Sequence, residues 1–558
     1  MAAGGGPEPV LGLRRMNRAG ASDCEGRTFD VVIVGGGITG AATARDAALR
    51  GLDVLLVEAD DYAAGTSSRS TKLLHGGLRY LKQYAFGLVR EACRERELLG
   101  RLAPHLAHVR PFIYLLYPED PEPRWMLHAG LTLYDLFSGN PSARRHTMLS
   151  ARDVLAVEPH LRADGLRGGG RYEDFLTDDA RLTIDTVKAA SDAGALVANH
   201  TRVVDFLYGS GGRIVGVDVV DDLDGSTFTA RGRVVASAAG IWTDAVRRRS
   251  RTAPGPILRP TKGTHLVLRR ADLPLEHAVF FRHPRDGRTV WPIPSVDPEL
   301  IYVGTTDTDY VGPPGDVAAD DEDVHYLLEA ANHIVPDAKL GVEHLWGTWA
   351  GLRPLVAADP DASASEVSRE HTITVDDDGL VAIAGGKLST ARAMAEELVD
   401  VVAEQLATHH GLTSPRPCST TEQPLAGGDV AGWARAHRRM AATDLPSDVQ
   451  ARLLGRYGSE TEGLLDLVAT DASMGHEVAP GLTRAEIVYA ARREQARTVT
   501  DVLARRTPTF FWTPDGGAAA ADAVATELAH ELSWSATTLA EQSGAFQRWR
   551  AHNGYRTP

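Results

Sequence analysis

Cysteine is nearly absent. Cys24, Cys93 and Cys418 lie far apart in 558 residues, so they build neither a disulfide framework nor a metal-ligand spacing. No metal site is expected, and the thiols suit a reducing compartment. Long apolar runs are missing as well: no stretch reaches the roughly 18 to 20 residues that a membrane-spanning helix needs. Positive charge is in deficit. A formal net charge of −15 argues against nucleic acid as a partner. The one dense basic run, Arg247-Arg248-Arg249-Ser250-Arg251, reads as a solvated helix end. Internal repeats are absent. Residues 1–28 are rich in Gly, Ala and Arg but lack the apolar h-region of a secretory signal. They read as a disordered leader. The rest, 43% hydrophobic and 24% charged over the whole chain, is globular in composition, with room for two or three domains.

What is present begins at Phe29. The β-branched run Val31–Val34 predicts a strand buried on both faces. Glycines 35, 37 and 40 follow at G-x-G-x-x-G spacing, then an Ala-rich helix over 41–50 closed by Gly51, a second apolar run Val54–Val57, and Glu58. Gly35 permits the tight strand-to-helix turn. Gly37 admits a pyrophosphate close to the backbone, and Gly40 lets the helix pack on the strand. The free N–H groups of the helix start face the anion. A carboxylate about twenty residues on is placed for ribose hydroxyls. The whole unit predicts a dinucleotide-binding βαβ fold.

The loop 62–80 is small, hydroxylated and studded with cations, as suits a phosphate-bearing ligand. An amphipathic helix over 81–102, a strand over 109–117 and a buried aromatic helix over 123–137 come next; a membrane-facing patch is the alternative reading of the last. Ser150 starts a helix that Pro159 stops. A helix over 178–193 leads into strands 202–207, 213–220 and 228–236, separated by Gly-rich turns. Strands dominate 261–310, and a helix covers 321–334. Leu380–Gly386 repeats the opening logic of apolar strand, glycines and helix start, the helix running over 389–406. Residues 409–423 are a linker, and the remainder is helical. The fold class is therefore α/β. A discontinuous Rossmann-like domain (29–108, 172–260, 340–408) carries a β-sheet cap (109–171, 261–339). A linker (409–424) leads to an all-α C-terminal domain (425–558).

Several segments together resemble the FAD-dependent sn-glycerol-3-phosphate dehydrogenase family, aerobic and membrane-associated. They are Val32–Gly40, Thr66-Ser67-Ser68, Lys72–Leu81, Lys262–His265, Gly304–Asp307, Gly351–Leu355 and Gly385–Thr390, in the family's order. Ser389 stands where the family often has Thr; the hydroxyl survives. The resemblance implies FAD and oxidation of glycerol 3-phosphate at C2 to dihydroxyacetone phosphate, with hydride passing to flavin N5. Electrons then go to a membrane quinone, from a cytoplasmic protein peripheral at the inner face of the plasma membrane. It assigns Arg79, Tyr80, Thr306, Arg353, Arg369 and Lys387 to the substrate. Gly35, Gly37, Gly40, Glu58, Thr66, Ser67, Ser68, Lys72, Leu74, His75, Gly76, Val203, Ala239, Gly240, Trp242, Gly386, Lys387, Leu388, Ser389 and Thr390 fall to the cofactor.

The residue chemistry agrees. A phosphate monoester carries nearly two charges, which the planar arginine fork grips bidentately. His265 is the candidate base, on its titration range alone. Lys387, at the turn before the last helix of the nucleotide domain, is expected to set its charge beside the flavin or the substrate oxygen, and the resemblance implies that Arg353 joins it and His265 as catalytic. Other readings stay open: an oxidase using O₂, an amine or 2-hydroxy-acid oxidoreductase, or a flavin-binding interaction protein. The helical tail offers a surface for a homodimer.

Overall fold

The computed structural model describes residues 14–139, 145–253, 255–356, 370–412 and 415–554. The strand Thr28–Val34 lies at the centre of the nucleotide-domain sheet, parallel to Thr227–Ser237 on one side and Val54–Val57 on the other. Leu196–Ala198 and Val381–Gly385 extend the parallel set, and His371–Val375 closes one edge antiparallel. The first strand runs into the helix Ile38–Leu49, which begins at Gly37. One face of the sheet packs on this helix together with Asp179–Asp192 and Ala391–His410, through Val31, Ile33, Leu56, Ile184, Val187 and Leu398. The other face is covered by Thr201–Tyr208 and Ile214–Asp221, a meander that branches off the sheet strand Thr227–Ser237. Burial on both faces is why Val31–Val34 is a continuous apolar run.

The cap is a ten-stranded sheet centred on Leu258–Arg269, Leu300–Gly304, Thr289–Pro294 and Ala278–Arg282, continued by His108–Leu116 and Gly168–Leu176. The helix Asp321–Ile334, capped by Asp320, seals its outer face through Val324, Leu327 and Ile334. Its inner face carries the aromatic set Phe112, Tyr114, Phe280, Tyr302 and Trp349. Two domain boundaries shift against expectation. The strand Leu345–Val356 pairs along Leu258–Arg269 rather than in the nucleotide sheet, and Gly168–Leu176 stays in the cap throughout. Backbone pairing, invisible in residue type, decides both.

Other expectations are corrected. From residue 14 onward the leader is docked: Met16 and Cys24 are buried, and Arg18 pairs with Asp221 at 2.5 Å. Arg247 is not a solvated helix end but is buried against Asp376 at 2.9 Å. Residues 81–102 divide into a helical turn, Leu78–Gln83, and a helix, Phe86–Leu102. The aromatic helix, Arg124–Ser138, buries only Leu127, Leu131, Tyr134 and Ser138, leaving Trp125, Met126 and Leu136 exposed.

The C-terminal domain is helical apart from a small hairpin, Glu477–Ala479 with Leu482–Thr483. It is joined to the nucleotide domain by buried ions. Arg506 and Arg505 reach Asp61 at 2.5 and 2.7 Å, and Arg181 reaches Glu494 at 2.5 Å. Asp61, His200 and Asp501 come within 4.8 Å of one another. The groups facing these two carboxylates are the chain's own, with Arg505 also 2.8 Å and His200 Nε2 3.0 Å from Asp501. Composition announced helices in this region but not where their charges would go.

Candidate active site

Two cavities meet where the sheets face each other. The first, ≈ 460 Å³, runs along the carboxyl ends of the parallel strands. The glycine loop forms its floor. Gly35 has φ +113°, and a Cβ there would lie 2.6 Å from the Ala238 carbonyl oxygen. A Cβ on Gly40 would fall 1.8 Å from the Gly35 oxygen, so helix and strand approach only without side chains. Gly37 meets just Ser67 Oγ at 3.2 Å, leaving its backbone open to the cleft. The Ile38 N–H donates to Ser67 Oγ at 2.9 Å. Glu58 accepts from Gly36 N at 2.6 Å and Asp60 N at 2.8 Å, and burial pushes its carboxyl up to about 7.

Of the residues expected at the cofactor, Gly35, Gly37, Glu58, Thr66, Ser67, Val203, Ala239, Gly240, Trp242, Gly386, Lys387 and Leu388 line this cleft. The others do not. Gly40 is the packing glycine just described. Lys72 is buried in an ion pair with Asp179 at 2.6 Å. Leu74 is core, and the Gly76 N–H donates to Tyr134 OH at 2.7 Å. Ser68, Ser389 and Thr390 are buried behind the wall. Sequence reasoning missed Ser70, Arg202 and Arg249 on the lining; the last two come from strand and helix ends that carry no motif.

The second cavity, ≈ 390 Å³, opens under the cap. Thr71, His75, Tyr80, Trp291, Thr305, Asp307 and Arg353 line it, with Lys82, Arg282 and Arg288. Arg353 is held through both terminal nitrogens: Nη1 donates to Asp307 Oδ1 at 2.9 Å, and Nη2 to Thr305 Oγ1 at 3.0 Å and the Thr306 carbonyl at 3.1 Å. His75, expected at the cofactor, lies here, edge-on to Trp291 at 5.8 Å between centroids. Thr306, expected at the substrate, is turned away and accepts from Thr264 N at 3.0 Å. Thr305, one residue earlier, faces the cavity instead. His265 is buried and does not line it. Arg282 and Arg288 were missed because they stand on the cap hairpin, outside every motif. Arg79 falls in the turn Leu78–Gln83, its side chain outside the described set, and Arg369 lies outside the described residues.

The two cavities adjoin along the chain at Ser70–Thr71 and at Arg353–Pro354, and across one side-chain contact. Lys387, at the start of the turn that leads into Ala391–His410, places Nζ 4.1 Å from the Tyr80 ring centroid. Lys387 lines the first cavity and Tyr80 the second. A cation thus lies between a nucleotide-shaped cleft and an arginine-bearing pocket.

Sequence comparison assigns this architecture. An aerobic glycerol-3-phosphate dehydrogenase of Staphylococcus haemolyticus is 39% identical over 516 residues, covering 91% of each chain. The chain belongs to the aerobic glycerol-3-phosphate dehydrogenase family. The FAD dependent oxidoreductase profile matches residues 30–401, and the C-terminal domain of alpha-glycerophosphate oxidase matches 418–539. Among solved structures, glycerol-3-phosphate dehydrogenase from Bacillus halodurans complexed with FAD superposes with TM-score 0.80 at 32% identity, covering 96% of both chains. An L-alpha-glycerophosphate oxidase from Mycoplasma pneumoniae shares the fold at TM-score 0.56 and 20% identity, over 72% of this chain and 99% of its own. The glycine cradle, where a Cβ would collide at positions 35 and 40, fits the FAD of this family. Its pyrophosphate would rest on the Gly35–Ile38 backbone and Ser67, and its ribose would lie by Glu58.

Proposed function

We propose that this chain oxidises glycerol 3-phosphate to dihydroxyacetone phosphate. The observation that carries the reading is the Lys387–Tyr80 contact joining the FAD cleft to a pocket with an anchored guanidinium. When bound, FAD supplies the acceptor for the two electrons that leave C2 with its hydrogen. Arg353 offers the phosphate a fixed positive charge whose position Asp307, Thr305 and the Thr306 carbonyl pre-set, so little freedom is lost on binding. Lys387 puts positive charge beside the reacting centre, where low dielectric strengthens its field. The aromatic inner face of the cap keeps water away. Anaerobic titration tests this: glycerol 3-phosphate is expected to bleach the flavin stoichiometrically, whereas lactate and glycine leave it coloured. Bleaching by either of those instead would overturn the substrate assignment.

We read the physiological acceptor as a membrane quinone. No helix among the described residues is long and apolar enough to cross a membrane, so contact would be at the surface. The exposed side chains of Trp125, Ala129 and Leu136, with half-buried Leu133 between them and Met126 beside them, follow helical spacing on Arg124–Ser138. Arg90, Arg94 and Arg101 flank Leu136. Apolar side chains with basic neighbours suit an anionic bilayer. Binding to vesicles containing anionic lipid is expected to fall at least tenfold in Trp125→Ser/Leu136→Ser. Unchanged flotation removes this surface from the role. Parallel dye-reduction and peroxide assays separate a quinone-type acceptor from O₂.

A further inference from the structure

His265 does not reach the second cavity by itself. It is 2% exposed. Its ring stacks on Trp349 at 4.7 Å and 10°. On the other neighbouring strand, a Cβ on Gly304 would lie 2.0 Å from His265 Cδ2. Strand pairing to Gly304 and Trp349 therefore clamps the imidazole from both sides. Its one hydrogen-bond partner among the described residues is Thr71, with Nε2 3.1 Å from Oγ1. Thr71 lines the cavity.

Thr71 is itself firmly placed. Ser70 before it donates Oγ–H to Asp179 at 2.6 Å, and its carbonyl accepts from Trp349 Nε1 at 3.1 Å. Lys72 after it takes a left-handed φ of +56° and is fixed by Asp179.

Burial, with Arg353 and Lys72 nearby, keeps the His265 imidazole neutral, well below its ordinary value. A neutral imidazole has one donor and one acceptor nitrogen. Nδ1 is buried and finds no partner among the described residues. A buried N–H left unmade is the rarer and more expensive state, compared with an idle lone pair. The proton therefore belongs on Nε2, which donates to Thr71 Oγ1. That bond occupies a lone pair of Thr71 and turns the hydroxyl's own hydrogen toward the cavity.

We propose that Thr71 is a substrate-contacting residue of this enzyme, donating its hydroxyl hydrogen to a substrate oxygen, and that His265 is a positioning residue acting through Thr71 rather than the base. The assignment rests on the reading of the second cavity as the substrate site. It parts from the expectation drawn from histidine chemistry alone, because the fold seals the imidazole behind a hydroxyl and keeps it neutral.

The test uses the holoenzyme with anaerobic glycerol 3-phosphate, following the rate of flavin bleaching. Thr71→Val, which keeps shape and removes the hydroxyl, is expected to slow bleaching about 10- to 100-fold. Thr71→Ser should stay within about threefold. His265→Ala should resemble Thr71→Val. His265→Gln, whose Nε2–H can replace the imidazole donor, should recover about tenfold over alanine, with no change in the shape of the rate profile between pH 6 and 8. The double variant His265→Ala/Thr71→Val should be no slower than the slower single. FAD content and melting temperature of each variant control for folding. A bleaching rate in Thr71→Val within threefold of the parent overturns the proposal, as does glutamine no faster than alanine. A separate readout needs no turnover: ¹⁵N NMR of His265 should show the neutral Nε2–H tautomer, and the Nδ1–H tautomer overturns the assignment. If the parent flavin never bleaches with glycerol 3-phosphate, the substrate reading fails, while the tautomer still decides the Thr71–His265 geometry.

Discussion

Replacing Arg353 with methionine is expected to lower kcat/KM for glycerol 3-phosphate by about 100- to 1000-fold. The variant loses a fork that Asp307, Thr305 and the Thr306 carbonyl hold in place. It also leaves the Asp307 carboxylate facing an incoming anion without that guanidinium beside it. Removing one member of such a charge-assisted set costs about 2–5 kcal/mol, and each 1.4 kcal/mol is tenfold. Arg353→Lys keeps the charge but not the planar geometry and should fall between the two. Adding Asp307→Asn to Arg353→Met should recover about tenfold by removing the repulsion. Steady-state kinetics on FAD-loaded protein measures all three. A methionine variant within fivefold of the parent would show that the phosphate is gripped elsewhere.

Asp61→Ala is expected to be the most damaging single change outside the cavities. Asp61 is fully buried and faces Arg505, Arg506 and Asn199 Nδ2, the last at 2.8 Å. Burial pushes its carboxyl up, but Arg506 and Arg505 more than offset this and hold it below the ordinary range. Deleting it strips Arg506 of its close carboxylate and leaves Arg505 with Asp501 alone, at the junction of two domains, at a cost of about 3–5 kcal/mol. Asp60 and Ala64, on the same loop, line the FAD cleft, so the damage should reach the cofactor. The expected results are loss of bound FAD, a lower melting temperature and faster proteolysis near residue 500. Asp61→Asn should behave as badly, because the amide keeps the shape but not the charge. Normal FAD retention in both variants would mean that the junction tolerates uncompensated cations.

Much of this protein was legible before any coordinates. The run Val31–Val34, the glycines after it and Glu58 dictate a βαβ nucleotide unit, because close backbone approach and a buried parallel strand admit few other residues. The helices expected over 178–193 and 321–334 are present as Asp179–Asp192 and Asp321–Ile334. Less legible was anything that depends on which strands pair. Leu345–Val356 carries Arg353, and its register against Leu258–Arg269 puts that guanidinium in the pocket. Thr305 and Thr306 are chemically alike, and only the pairing of Leu258–Arg269 decides which one faces the cavity.

Local chemistry along the chain determined the cofactor class, the anion-binding character and the family. Such properties follow from residue types at short fixed spacings. Tertiary structure decided the rest: His265 lies behind Thr71, Arg247 is an interior cation, and the C-terminal helices are joined to the nucleotide domain through Asp61. Those outcomes depend on contacts between residues tens to hundreds of positions apart, and no local pattern records which distant partner compensates a buried charge.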